Sequence, residues 1–248
     1  MNQPCFSNFP KFLSETNYKN PVDPEATNSH SWLGESFFSW LPKNPHIAKP
    51  FNETMAVFAA NKTPWVDLYS TDSIVTASKP GHALIVDVAG GVGHDLEKFR
   101  AKHPDSPAGS LILQDLDTVI QAAQVKSPIR TQAIDILQGQ PEKGARVYYL
   151  HNVLHDWSDS QCVDILTHIA AAMEYGYSRV LIHENIILPK NSHPRSTIMD
   201  VVMLAFFSAA EREEMVWASI AEKAGLKITK VWTSPETIES IIELELAS

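Results

Sequence analysis

From His82 onward the chain repeats one pattern: a short apolar run, then a stretch of helical spacing, then another apolar run. The runs are ALIVDVA (83–89), SLILQD (110–115), residues 129–134, ARVYYL (145–150) and RVLIHENI (179–186). Between them lie HDLEKFRAKH (94–103), TVIQAAQ (118–124) and a helix expected over 159–173. Strands with few polar residues are buried on both faces, and an intervening helix returns each strand parallel to its predecessor. The chain is thereby restricted to an α/β fold with a Rossmann-like, doubly wound, mostly parallel sheet. Two more helical patterns, 196–208 and 211–224, precede LKITKVWTS (226–234) and SIIELEL (240–246). The close spacing of that last pair predicts a C-terminal antiparallel hairpin. Before about Pro64 the texture is rich in Pro, Asn and aromatics and lacks strand alternation, so short helices are expected over 30–41 and 47–60. The expected division is a helical appendage, 1–66, ahead of the α/β domain, 67–248.

The net charge of −9, with no run of Lys or Arg, excludes the concentrated basic footprint of a nucleic-acid or anionic-membrane surface. A small-molecule or protein partner is expected instead. The longest apolar segment, 198–210, is interrupted by Asp200 and is too short for a bilayer span, and MNQPCFSNFPKF has no signal-peptide pattern. Cys5 and Cys162 form no metal-type spacing, which fits a reducing, cytoplasmic setting.

Two segments carry chemistry. The first apolar run ends in Asp87-Val88-Ala89-Gly90-Gly91-Val92-Gly93 and a helical pattern starts at once. Glycines there let the backbone turn tightly and approach a ligand closely. Leu96 stands where a dinucleotide fingerprint has its third glycine, and no phosphate-loop Lys is present, so a nucleoside without pyrophosphate is the expected ligand. Asp115 ends the next strand, about twenty residues on, where a carboxylate accepts from ribose hydroxyls. The second segment is LHNVLHDWSDSQ (150–161), with His155 between an apolar strand and a helix start. Open α/β sheets place their chemistry at such strand ends, which makes His155 a candidate general base; alone, it reads equally as a solvated loop histidine. His151 and His155 are four apart, yet neither a third ligand nor H-E-x-x-H is present, so no metal is expected. Met199, Met203, Phe206 and Phe207 form an apolar stripe that serves core packing or lines an acceptor pocket.

In order, VDVAGGVGHDL, QDLDTVI, AIDIL, YYLHNVLHDWSDSQCVDIL, RVLIHENIILP and FFSAAEREEMVWASIAEKAGLKI resemble the S-adenosylmethionine-dependent O-methyltransferases of the caffeate and hydroxyindole type, in their fungal secondary-metabolism branch. The resemblance runs from about Phe9 to the C-terminus. It implies that S-adenosyl-L-methionine is the cofactor, with Gly90, Gly91 and Asp115 on its methionyl and ribose portions, Asp135 and Ile136 framing the adenine, and His151 in place of a basic residue beside it. It implies His155 as catalytic base, flanked by Glu184 and Glu211, and a small hydroxylated, aromatic or polyketide-type substrate. The chemistry agrees: a phenol of pKa about 10 must lose its proton to attack a sulfonium methyl, and an imidazole takes that proton near neutrality. A carboxylate on the ring would steady the imidazolium.

Relatives of this type carry a larger N-terminal dimerisation domain, to which only residues 9–62 correspond. The aromatics Phe37, Phe38, Trp40 and Phe51 are accordingly expected to leave an apolar surface exposed and to drive self-association or pairing with another chain. Two rival functions stay open: a cyclase or isomerase that keeps the cofactor-binding fold, and a non-catalytic partner subunit.

Overall fold

The computed structural model describes residues 2–20, 23, 26–60, 63–123, 125–126 and 129–247. Gln124, which ends the TVIQAAQ pattern, and Lys62, which ends the appendage match, lie outside them. Seven strands form one sheet: β1 (Ile85–Val88), β2 (Leu111–Asp115), β3 (Ile129–Ala133), β4 (Val147–His151), β5 (Arg179–Asn185), β6 (Leu226–Trp232) and β7 (Glu239–Leu246). Their order is β3-β2-β1-β4-β5-β7-β6. The first five are parallel, and β7 runs antiparallel to both β5 and β6. The final pair is therefore the expected hairpin, but the antiparallel strand sits inside the sheet and β6 takes the edge. Strand order reverses between β1 and β4, so the carboxyl ends of those strands flank the crevice where open α/β sheets bind ligands. The register puts Val88 beside Gln114, Asp115 beside Ala133 and His151 beside His183, which lines up the motif residues at one end.

The described chain divides into two compact units. The sheet unit comprises Thr63–Leu154, Gln161–Asn185 and Glu214–Ser248. Its core joins strand residues Ile85, Leu111, Leu113, Val147, Tyr149 and Leu181 with Trp65, Leu96 and Phe99 from helices. Each fully buried aliphatic or aromatic side chain contributes about 1.5–3 kcal/mol, and here the backbone ladder fixes which residues face inward.

The helical unit comprises Met1–Lys62, His155–Ser160 and Ile186–Glu213. Cys5, Phe37, Leu41, Ala205 and Phe206 form its centre, with Leu33, Phe38, Trp40, Phe51 and Phe207 packed around them. This corrects the expected apolar surface: Phe37 is only 4% exposed, and Phe38, Trp40 and Phe51 are partly buried in the same cluster. Phe37 meets Phe51, Phe206 and Phe207 edge-on at 5.5–5.9 Å, a favoured aromatic geometry. Polar side chains close the end of the helix Pro194–Phe207: Asn28 Nδ2 donates to the carbonyl of Ala205 at 2.9 Å, and Ser29 Oγ donates to that of Phe206.

The expected helix over 30–41 is two pieces, Asn28–Leu33 and Phe37–Trp40. Gly34 stops the first in the left-handed region at φ 81°, and Ser36 caps the second through the amide of Ser39. A helix at Asn2–Glu15 was not foreshadowed by the sequence pattern, and the last expected helix starts at Glu214 rather than 211. No helix among the described residues is long and apolar enough to cross a membrane.

Candidate active site

At the end of β1 the chain makes a sharp turn through Ala89, Gly90 and Gly91. A Cβ at Gly90 would collide with the Asp87 carboxyl group, whereas one at Gly91, φ 62°, would meet open space. The turn thus exposes bare backbone at Gly91. Asp115, at the end of β2, accepts from the amide of Gly91 at 2.8 Å and from its neighbour Leu116 at 2.7 Å. Burial pushes its carboxyl pKa up, and the two amides oppose that rise. Asp87 beneath the turn is fully buried, and burial, reinforced by Asp95 and Asp115, raises its pKa well above the ordinary carboxylate range.

Asp135 is exposed and turns back on the amide of Leu137 at 3.0 Å; Ile136 follows it, half-buried. Sequence reasoning places both on the adenine, and the structure puts them just beyond the end of β3.

His151 faces inward. Its Nδ1 lies 2.5 Å from Asp95 Oδ2 and its Nε2 3.5 Å from Glu239 Oε2, while Lys98 pairs with Asp95 at 2.9 Å. Burial alone would lower the imidazole pKa, but the Asp95 and Glu239 carboxylates outweigh it and raise the value to about 9. Burial would likewise raise Asp95, yet His151 and Lys98 hold it far below the usual range. His151 is thus a fixed cation at neutral pH. His183 stacks on it with ring centroids 4.1 Å apart and 19° between planes, and bonds Tyr149 at 2.7 Å. His151 Nε2 and His183 Nε2 lie 3.5 and 3.9 Å from Glu239 Oε2, so the three side chains meet at one carboxylate oxygen. Asp95 and Glu239 lie 56 and 88 positions from His151, and no local sequence signal links the three.

Glu184 on β5 is buried, and its Oε1 accepts from the amides of Val153 and Leu154 at 3.0 and 2.9 Å. His155 is the next residue in the chain.

His155, in the helical unit, lies on the short 3-10 turn Leu154–Asp156. Its Nδ1 lies 2.9 Å from Glu211 Oε1, both residues are buried, and Asp156 Oδ1 is 3.6 Å from its Nε2. A carboxylate on Nδ1 selects the tautomer with the proton there, leaving the Nε2 lone pair to take another. Glu211 does not open a helix; it sits on an extended segment whose next residue, Arg212, bridges Ile186, and its amide donates to Asp200 Oδ1 at 3.0 Å. Trp157 stacks on Phe38 (6.5 Å, 21°) and Phe38 on Phe207 (5.3 Å, 11°), so an aromatic wall follows His155 in the same unit. Met203 and Phe206 of the expected stripe are buried in that unit.

The O-methyltransferase ATR12 of Stachybotrys chlorohalonatus is 39% identical over 241 residues, 97% of this chain and 62% of that protein. The chain thus spans under two thirds of that relative's length. OxaC, solved with SAH and oxaline, is similar at a TM-score of 0.87 and 30% identity, over 98% of this chain and 62% of its own. A pericyclic reaction enzyme gives 0.88 and 28%, over 98% of this chain and 64% of its own. The family model for the O-methyltransferase domain matches residues 27–227, and the chain belongs to that family.

Proposed function

We propose that the protein transfers a methyl group from S-adenosylmethionine to a hydroxyl of a small aromatic or polyketide-type metabolite, with His155 as general base. The observation that carries the reading is the buried His155–Glu211 pair at 2.9 Å, in a family of O-methyltransferases. The glycine turn suits the cofactor: Gly91 leaves open space for a ligand's aminoacyl end, and Asp115 supplies a carboxylate for a ribose diol. Gly90, Gly91 and Asp115 hold those portions, and Asp135 and Ile136 border the adenine. His151 contributes its fixed positive charge at that end of the sheet, since its nitrogens already face Asp95 and Glu239.

When bound, the cofactor supplies an electrophilic methyl on a cationic sulfur. With the cofactor in place, the acceptor hydroxyl would give its proton to His155 Nε2 as its oxygen bonds the methyl carbon, while the carbon–sulfur bond breaks with its electron pair left on sulfur and S-adenosylhomocysteine as the leaving group. Glu211, ionised, accepts the Nδ1–H hydrogen bond and balances the imidazolium, and Asp156 faces the newly protonated nitrogen. Glu184 holds the two residues before His155 through their amides. A second reading, rearrangement chemistry on the same fold, is favoured by the likeness to the pericyclic enzyme.

Calorimetry with S-adenosylmethionine and S-adenosylhomocysteine, then a methyl-transfer assay over a phenol panel, tests the proposal. Asp115→Ala removes charged hydrogen bonds worth about 1.5–3 kcal/mol each, so its cofactor affinity should fall at least about tenfold. Unchanged affinity overturns the cofactor assignment. Binding without methyl transfer to any phenol favours the rearrangement reading.

A further inference from the structure

Arg212 follows Glu211 and is a buried cation in the helical unit. Its Nε donates to Asp159 Oδ1 at 2.7 Å, its Nη2 to the carbonyl of Trp157 at 2.6 Å and its Nη1 to that of Ala210 at 3.2 Å. Its own backbone is anchored as well, since the amide of Ile187 donates to the Arg212 carbonyl at 3.0 Å. The guanidinium therefore grips the chain two and four residues beyond His155, while its main chain sits one residue from Glu211.

The Arg212 side chain is 2% exposed, and its carboxylate partner Asp159 is 63% exposed. Burial strips water from the guanidinium, and fixed acceptors take its place, among them the carbonyls of Trp157 and Ala210. What the arrangement does supply is geometry, because the planar fork fixes two acceptors in one plane and a lysine offers only a point charge. A lone 3-10 turn is weakly held by its own hydrogen bonds, so the turn bearing His155 needs such an external grip.

We infer that Arg212 is a positioning residue for the proton transfer: it locks the turn carrying His155 to the segment carrying Glu211. The Nδ1–Oε1 contact then persists as the imidazole gains and loses its proton. This rests on His155 being the base, as proposed above.

The test uses the full chain with Arg212→Lys and Asp159→Asn. Arg212→Lys keeps the charge and loses the fork, so kcat should fall about 10–100-fold, the scale of a misplacement near 1 Å. KM for S-adenosylmethionine should stay within about twofold, and the acid limb of the pH–kcat profile should move. Asp159→Asn should do the same more weakly. A proton NMR signal for the His155 Nδ1–H bond, assigned by its loss in His155→Gln, should broaden or vanish in Arg212→Lys. A retained signal, with kcat reduced only in proportion to the folded fraction, overturns the inference. Should Arg212→Lys not fold, wild-type kcat and signal in Asp159→Asn overturn it instead. An inactive wild-type chain would count against the methyl-transfer reading alone, and the NMR signal would still decide whether Arg212 holds the pair.

Discussion

In the sheet unit the backbone places the side chains; in the helical unit the side chains place the backbone. His151, His183 and Glu239 meet because the ladder sets them there: His151 pairs with His183 across β4 and β5, and Asn185 pairs with Glu239 across β5 and β7. The charges settle into a frame that exists without them. Among its described residues the helical unit has only the isolated Ile186–Arg212 bridge in place of a ladder, and its segments come from three separate parts of the chain. There Asn28 binds the carbonyls of Cys5 and Ala205, Ser29 that of Phe206, and Arg212 those of Trp157 and Ala210. Each is a buried side chain bonded to main-chain carbonyls, and those of Ala205, Phe206, Trp157 and Ala210 lie at a helix end or on irregular backbone. Single polar substitutions should therefore disturb the geometry of the helical unit more than that of the sheet.

The division predicts separable functions, and the largest effect tests it. His155→Ala should lower kcat by about 10²–10⁴-fold, the usual contribution of a general base, with cofactor affinity nearly unchanged. Glu211→Gln should cost less, and the double variant less than the product of the two, since both act on one proton transfer. Steady-state kinetics and calorimetry on the same preparations decide it. A parallel loss of cofactor affinity in His155→Ala would break the division.

The same contrast explains what the sequence reveals. Four of the five parallel strands, β1, β2, β4 and β5, are built on buried apolar runs, so their places are written locally, whereas the edge strand β3 (IRTQA) is largely exposed; the glycine turn and Asp115 stand at the predicted strand ends. The pairing of His155 with Glu211 was readable only through the resemblance, because the two are 56 positions apart on irregular backbone. Asp95 and Glu239 escaped notice because nothing near either one marks a partner for His151. Gly34 and Ser36 did carry a stop and a start that the apolar spacing of 30–41 obscured. The aromatics 37, 38, 40 and 51 read as surface because Phe206 and Phe207, which cover them, come from the far end of the chain.

A second effect, intermediate in size, belongs to the sheet. The His151 pKa rises from 6.5 to about 9 on folding. A raised value in the native state means the protonated form is favoured there, so its contribution is complete below pH 6.5 and lost as pH climbs through 9. The shift corresponds to about 3 kcal/mol, a single quantity shared with Asp95. The depressed Asp95 pKa sets the other limit: the pair weakens again once pH falls below the ordinary carboxylate value. Denaturant titrations of wild type and His151→Gln across pH 5 to 10 should show a wild-type advantage at pH 5–6.5 that shrinks to nothing above 9. A difference independent of pH would mean that packing, not charge, is what His151 supplies.

The smallest effect concerns the turn itself. Ala89 precedes Gly90 and holds φ 55°, a left-handed conformation that a Cβ makes unfavourable by about 1–2 kcal/mol. Glycine removes that strain but enters folding with about 0.5–1 kcal/mol more chain entropy to lose. Ala89→Gly should therefore raise stability by about 0.5–1 kcal/mol, read as a higher denaturant midpoint with an unchanged slope. Because the ladder ends at Val88 and the amide of Gly90 still donates to the carbonyl of Gln114 at 3.1 Å, the turn should keep its shape and cofactor affinity should not change. Loss of affinity in this variant would show that the Ala89 methyl, and not the frame alone, shapes the site. In that case the sheet unit too would depend on a side chain to place its backbone.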